Sequence, residues 1–166
     1  MHAWPLELVN GEPTGRELVI EEIEELRARV APDLFTGFDP STWPTTSMPA
    51  FALAAHAYER DDGCGERVSL ALRSALFEKG RDISDSQILA AIAAEEGIDL
   101  PDLADDSSAR RDWAASKERG VQGSPHYFVG DDDYFCPSFD IERVDDELRI
   151  NPDPEGFQEF VDRVLR

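Results

Sequence analysis

Apolar residues recur every three or four positions along most of the first 120 residues, which is the spacing of amphipathic helices. In the first such run, glutamates occupy the positions that face water, and Pro32 ends the pattern. Three of the later runs are closed by glycines, Gly80, Gly97 and Gly120. The predicted helices cover residues 16–30, 47–58, 66–79, 84–96 and 107–119.

Two of these helices begin at residues with capping chemistry. Ser47 can cap the second predicted helix, which stops at the turn-forming residues 61–63. The sequence Ser84-Asp85-Ser86-Gln87 matches a capping box, in which the Ser84 hydroxyl accepts from the N3 amide and Gln87 reaches back to the cap. We therefore expect both serines to mark where their helices start.

Strand signals replace helix signals after residue 120. Residues 127–129 (Tyr-Phe-Val) favour a strand, and the turn-forming residues 130–133 lead into a second apolar stretch at 134–136. The pattern predicts a hairpin that opens at the turn Gly123-Ser124-Pro125.

The two ends of the chain and one long connection complete the pattern. Residues 2–9 are apolar enough to predict a short strand, which the turn-forming residues 10–13 end. Residues 31–47 combine prolines with aromatic side chains, and this predicts an ordered irregular loop whose aromatics pack on the body. A short strand is expected at 147–150 and a terminal helix at 156–165.

Length and hydrophobic content limit the architecture. A chain of 166 residues with 41% hydrophobic residues can build one domain with a single core. We expect an α/β domain in which the helices at 16–30 and 156–165 flank a central sheet. Residues 47–120 should form an all-helical insertion on one side of that sheet.

The charge balance restricts the partners. The formal net charge is −20, from 36 acidic and 16 basic residues, and no basic patch is apparent. Nucleic-acid phosphates and anionic lipid surfaces are therefore repelled. No apolar run approaches the roughly 20 residues that span a bilayer, and residues 1–13 lack the basic and apolar regions of a signal peptide. We expect an acidic, cytoplasmic protein with neither a nucleic-acid nor a membrane partner.

The two cysteines, Cys64 and Cys136, stand far apart in the sequence. Neither a CxxC redox motif nor a paired zinc-ligand spacing is present, so both are expected to be thiols with a structural or incidental role. The aspartates at 131–133 should raise the pKa of Cys136, whereas a helix N-terminus after Cys64 should favour its thiolate.

No metal site is predicted. His56 lies on a predicted helix without a second ligand at i+4, and a core or groove-lining histidine is the favoured interpretation. The acidic clusters at 105–106, 131–133 and 145–146 lack the alternating ligand spacing of a calcium loop, so a solvated surface is expected.

Two stretches of the sequence resemble one protein family. Residues 75–85 (ALFEKGRDISD), followed by 88–89 and 94–99, are similar to the insertion helices of DsbA-family thioredoxin-like proteins. Residues 120–129 (GVQGSPHYFV) resemble the family's glycine-valine entry into its cis-proline strand. The similarity covers roughly residues 47–129. It points to the branch of FrnE-like oxidoreductases, 2-hydroxychromene-2-carboxylate isomerases and kappa-class glutathione transferases.

The resemblance implies a fold. Residues 1–46 and 121–166 would form the thioredoxin-like part and residues 47–120 the helical insertion, within one compact domain overall. Residues 2–9 look like the family's second strand, which implies that the family's first strand and cysteine-bearing turn and helix are not among these residues. Three explanations stay open: a start codon further upstream, a fragment, or a divergent paralogue with another function. An exposed sheet edge beside residues 2–9 is then expected, with a homodimer formed by edge pairing as one way to cover it.

The resemblance also implies that Ser124, Pro125 and His126 bind substrate. A cis Ser124-Pro125 peptide would turn the preceding backbone outward, where it can pair with an extended thiol substrate. His126 could carry a proton near a thiolate. Strand alternation and the lack of a partner nearby in sequence favour instead a residue that faces solvent.

Two functions stay open. One is a DsbA-like thiol-disulfide oxidoreductase or a thiol-dependent isomerase or transferase, which needs an attacking thiolate. The other is a non-catalytic binding module that has kept the cleft and lost the redox nucleophile. In both, the partner is a small thiol or disulfide substrate. No resident cofactor is expected, and glutathione or a similar low-molecular-weight thiol could serve as cosubstrate.

Overall fold

The computed structural model describes residues 2–60 and 63–166. The helices are α1 (Leu6–Asn10), α2 (Arg16–Arg29), α3 (Met48–Tyr58), α4 (Cys64–Arg73), α5 (Ser86–Glu95), α6 (Ser107–Glu118) and α7 (Pro154–Val164). The strands are β1 (His126–Val129), β2 (Asp132–Phe135), β3 (Phe139–Val144) and β4 (Glu147–Pro152). Within the described residues, α2 to α7 and the β1–β2 hairpin confirm the sequence predictions.

The chain divides into two compact units. The helical unit comprises the residues up to Arg16 and Phe35–Glu118, and the mixed unit comprises Glu17–Leu34 and Arg119–Arg166. Described residues 47–118 contain helices and no strand, as predicted. The expected boundary at residue 46 falls inside the helical unit, which also includes the irregular segment 35–46.

Residues 2–9 do not form the expected strand. Leu6–Asn10 is a short helix, with Pro5 at its N-cap and Gly11 in the left-handed conformation (φ 78°) after it. A short apolar run does not distinguish a strand from a helix by its period, but a proline before it and a glycine after it favour the helix. The strand prediction is therefore wrong, and the edge-paired dimer loses the edge on which it was based.

The core of the helical unit is built from α3, α4 and α5. Leu53, Val68 and Leu89 come from these three helices in turn, and all three are fully buried. Apolar burial on this scale is the main favourable term in folding. The helical unit therefore has a hydrophobic core of its own.

The irregular loop packs its aromatic rings against the end of α4, as predicted. After Arg73 the chain continues as a π-helical turn, Ser74–Glu78, which contains Phe77. The ring centroids of Phe35, Phe38 and Trp43 lie 5.9, 6.4 and 6.3 Å from that of Phe77. These distances are those of favourable aromatic pairs, so the loop is anchored without regular secondary structure.

Neither predicted serine caps its helix with its side chain. Ser47 is the N-cap residue of α3, as predicted, but its side chain makes no capping hydrogen bond. At α5 the N-cap residue is Asp85, whose carboxylate accepts from the Gln87 N–H at 2.7 Å. The Ser84 hydroxyl donates instead to Asp82 Oδ1 at 2.6 Å. Aspartate caps as well as serine does, and with Asp85 at the N-cap Gln87 stands at N2, so no capping box forms.

The mixed unit contains two separate antiparallel hairpins, β1–β2 and β3–β4, instead of the single central sheet that the sequence predicts. The expected flanking helices do lie against these hairpins. On α2, Glu21 accepts from Arg143 at 2.7 Å and Glu25 accepts from the Ile150 N–H at 3.3 Å. On α7, the Phe160 ring packs 4.7 Å from Tyr127. Each helix thus fixes one hairpin.

The sequence pattern does not predict strand β3. Its sequence, FDIERV, is half charged, and the turn that joins it to β4 is Asp145-Asp146. Both aspartates have positive φ values, 54° and 68°, as a two-residue type I′ turn requires. Asn-Gly is the usual sequence for such a turn, so this hairpin carried no strong signal.

No helix among the described residues is both long and apolar enough to cross a membrane.

Candidate functional site

The residues Gln122–Pro125, named here the cis-proline turn, lead into β1. The Ser124-Pro125 peptide bond is cis, as expected from the sequence. Ser124 and Pro125 are both exposed. The Pro125 carbonyl accepts from the Cys136 N–H at 3.0 Å, which ties the end of the turn to the residue that follows β2. The turn is thus open to solvent and fixed at its C-terminal end.

The β1–β2 hairpin presents two different faces. Cα register pairs His126 with Phe135 and Phe128 with Asp133, and alternation places these four side chains on one face. Tyr127, which pairs with Tyr134, lies on the other face, and both rings contact Phe160 of α7. The face of His126 is named here the site face.

His126 is buried on the site face rather than directed into solvent. Its side chain is only 2% exposed, and its ring packs 4.5 Å from Phe128 and 5.8 Å from Phe135, centroid to centroid. The expectation of a solvent-facing residue is therefore wrong. Alternation gives the parity of a strand residue but does not say which face is covered.

Two polar groups engage the His126 imidazole, for which the sequence predicts no nearby partner. Nδ1 accepts from the Gln122 N–H at 3.2 Å, and Nε2 lies 2.9 Å from Asp133 Oδ1. Gln122 precedes His126 by four residues and Asp133 follows it by seven. Counting back from the two-residue loop Gly130-Asp131 places Asp133 on the same face as His126, so hairpin register could have identified this pair.

Two further residues complete the surroundings of the turn. The Arg119 guanidinium lies 4.2 Å from the centroid of the Phe128 ring, within the range of a cation–π contact. Gly123 lies against the Phe135 ring, because a Cβ at position 123 would be 2.7 Å from Phe135 Cε2. Neither contact follows from sequence spacing alone. Together these two contacts place the site face directly beneath the turn.

Neither cysteine is placed as a reactive thiolate. Cys64 is the first residue of α4, at a helix N-terminus as expected, but it is 0% exposed. Burial raises the pKa of the Cys136 thiol, whereas the neighbouring aspartates were the expected cause. Neither cysteine forms a disulfide. A thiol nucleophile needs access and a lowered pKa, and these two lack that combination.

An open cleft of about 640 Å³ begins beside Cys136. Its lining combines the rings of Phe135 and Phe139 with the carboxylates of Asp140 and Glu159. No lysine or arginine lines this cleft, and its walls include Asp133 of the site face. A cleft of this composition favours neutral or cationic ligands over anionic ones.

The described residues contain no group of three or more histidine, cysteine, aspartate or glutamate side chains that could hold a metal ion. His56 lies on α3 with its Nδ1 3.8 Å from a Glu59 carboxylate oxygen, and 37% of its side chain is exposed. It is therefore a partly exposed helix residue next to a glutamate.

Comparison with known proteins gives one match. The family model of the DSBA-like thioredoxin domain matches residues 16–149. This range includes helices α2 to α6, the cis-proline turn, the whole β1–β2 hairpin and most of the β3–β4 hairpin. Neither a curated protein nor a solved structure matches the chain. The match extends beyond the stretch 47–129 on which the sequence resemblance rested.

Proposed function

Because this chain belongs to the DSBA-like thioredoxin domain family, with an α/β fold that carries a helical insertion, we propose that it binds a small thiol or disulfide at the cis-proline turn. We also propose that neither of its own cysteines attacks the ligand. The proposal rests on the accessibility of Cys64 and on the pKa of Cys136. One thiol is inaccessible, and burial raises the pKa of the other. A thiol-dependent isomerase or transferase fits these thiols best, because there the ligand supplies the sulfur.

The position and exposure of Ser124 and Pro125 support the turn as the binding segment. An extended ligand can pair with an exposed backbone segment through main-chain hydrogen bonds. The site face keeps the turn in place from below, through the Phe135 ring under Gly123. Ligand binding at this position therefore needs no rearrangement of the hairpin.

The negative charge of the protein indicates which small thiols it binds best. The chain has a net charge of −20, and the cleft beside Cys136 is lined by carboxylates without a basic residue. We therefore propose that cationic or neutral thiols bind better than anionic glutathione. The same charge supports our proposal that nucleic acids and anionic membranes are not partners. We also propose that the protein acts in the cytoplasm.

Titration with cystamine, a dicationic disulfide, is expected to shift the backbone amide resonances of Gln122, Gly123 and Ser124 in ¹H–¹⁵N NMR spectra. Oxidised glutathione should require a higher concentration for the same shift, and added salt should reduce the difference because it screens surface charge. Ser124→Tyr should block binding by covering the turn. The matched control, Ser86→Tyr at an exposed position of α5, should bind as the wild type does. If neither disulfide perturbs the turn amides, the proposed binding site is wrong.

Alkylation of Cys136 by iodoacetamide is expected to be slower at pH 7 than alkylation of glutathione, and to accelerate as the pH rises. The reason is that only the thiolate reacts, and burial raises the pKa of this thiol above its ordinary value. Cys64 should react more slowly still, because it is inaccessible. Peptide mass mapping measures both rates, and the urea-unfolded chain provides the reference in which burial is removed.

The same thiol states predict little or no insulin reduction by this chain, with Cys64→Ser and Cys136→Ser leaving that result unchanged. Turnover that is lost in either serine variant would identify a working nucleophile and contradict the proposal. The second candidate function, a binding module without catalysis, is favoured by the same two observations, the inaccessible Cys64 and the raised pKa of the Cys136 thiol. It is distinguished by ligand binding in the NMR titration without any thiol transfer or isomerisation.

A further inference from the structure

We infer that His126 is a positioning residue, which holds the cis-proline turn through the Gln122 N–H and is itself held by Asp133. The inference deepens the proposed function, because it assigns the group that fixes the shape of the ligand-binding turn. His126 does this from beneath the turn, since its side chain is 2% exposed.

Hydrogen-bond chemistry determines which tautomer of His126 holds the turn. A neutral imidazole has one N–H donor and one lone-pair acceptor. The Gln122 backbone offers only an N–H at 3.2 Å from Nδ1, so Nδ1 must be the acceptor. The proton then lies on Nε2, where it can be donated to Asp133 Oδ1 at 2.9 Å. Asp133 therefore selects the tautomer that leaves Nδ1 available to Gln122.

The turn is tied to the hairpin at both of its ends. Gln122 is tied through His126 to Asp133 of β2, and Pro125 is tied through its carbonyl to the Cys136 N–H. The imidazole cannot shift freely because its ring packs against two phenylalanine rings of the site face. Gly123 and Ser124 remain between the two ties, in the position where the ligand binds.

Protonation of His126 releases one of these ties. A proton on Nδ1 removes the acceptor for the Gln122 N–H, while the bond to Asp133 becomes charge-assisted and persists. The charged groups that face the imidazole region are Asp133 from β2 and Arg119, whose guanidinium lies over the adjoining Phe128 ring. The N-terminal end of the turn is thus held only while Nδ1 carries no proton.

Amide hydrogen exchange at Gln122 in the ligand-free chain tests the inference. The wild-type amide is expected to be protected while Nδ1 carries no proton and to lose about fivefold to tenfold of its protection factor once Nδ1 is protonated, as loss of one hydrogen bond implies. His126→Phe keeps a packed ring without an acceptor and should show the low protection at every pH. His126→Asn offers an amide oxygen as acceptor and should restore part of the protection without its pH dependence. Asp131→Asn, at an exposed position of the hairpin loop, is the control for a change of charge and should match the wild type.

Imidazole ¹⁵N resonances of the wild type provide a second measurement that needs no variant. We expect the Nε2–H tautomer in the neutral imidazole. The Nδ1–H tautomer, or wild-type exchange at Gln122 in His126→Phe, would overturn the inference. Should neither cystamine nor oxidised glutathione bind while the exchange pattern holds, the positioning role of His126 is supported and only the proposed function fails.

Discussion

Leu53→Ala is expected to destabilise the helical unit by about 3–5 kcal/mol. Leu53 lies on α3 with no exposed surface, in a buried cluster with Val68 of α4 and Leu89 of α5. Truncating a fully buried leucine loses its transfer free energy and leaves a cavity, and helices packed on three sides cannot close it completely. Leu70→Ala is the matched control on α4, because Leu70 is 62% exposed, and it should change stability by no more than about 0.5 kcal/mol.

Tryptophan fluorescence during urea unfolding measures this effect in the relevant unit. All three tryptophans, Trp4, Trp43 and Trp113, belong to the helical unit, so their fluorescence reports its transition. A fit with a shared m-value gives the difference in free energy. If Leu53→Ala and Leu70→Ala unfold at the same urea concentration, the helical core is not centred on Leu53.

Gly37→Ala is expected to cost about 3 kcal/mol, by a different mechanism. A Cβ at position 37 would overlap the carbonyl oxygen of Glu78 and lie 2.8 Å from its carbonyl carbon. These are backbone atoms of the π-helical turn, and they cannot rotate away as a flexible side chain could. Overpacking against such a neighbour requires the backbone itself to shift, and the irregular loop that contains Gly37 would shift as well.

Gly15→Ala is the matched control for this substitution. A Cβ at position 15 would meet nothing within 4 Å, and Gly15 does not have a positive φ. Alanine there should be neutral or stabilising by about 0.4–1 kcal/mol, because it restricts the unfolded chain. Equal urea midpoints for the two variants would show that the loop and the π-helical turn are not in close contact.

The helices could be predicted from this sequence because their apolar spacing and their terminal glycines agree. Where two local signals competed, prediction failed. Residues 2–9 had an apolar run that suits either a strand or a helix, and Pro5 and Gly11 decided for the helix. At α5, the side chain of Asp85 displaced the expected cap of Ser84, because the Ser84 hydroxyl is engaged by Asp82. Strand β3 has too many charged residues for its pattern to be recognised.

The cis-proline turn could be predicted from the sequence, but the contacts that surround it could not. The motif around Pro125 located the turn, because glycine, serine and proline have strong local preferences. The burial of His126 depends on cross-strand neighbours and on Gln122, so it follows from the register of a hairpin rather than from any short motif. Asp133 was counted with a surface acidic cluster, yet its carboxylate contacts the His126 imidazole.

The two-faced hairpin has a consequence for how this protein can vary in evolution. The loop Gly130-Asp131 can lengthen without changing which residues pair, because Val129 and Asp132 close it and loop tips usually tolerate insertions. Adding one residue within β2, between Asp132 and Asp133, would instead turn over the rest of the strand unless a bulge absorbed it, since side chains alternate with a period of two. Asp133 would then point toward Phe160, and Tyr134 toward His126. Homologues that retain this histidine pair should therefore vary in the loop and keep the length of the two strands.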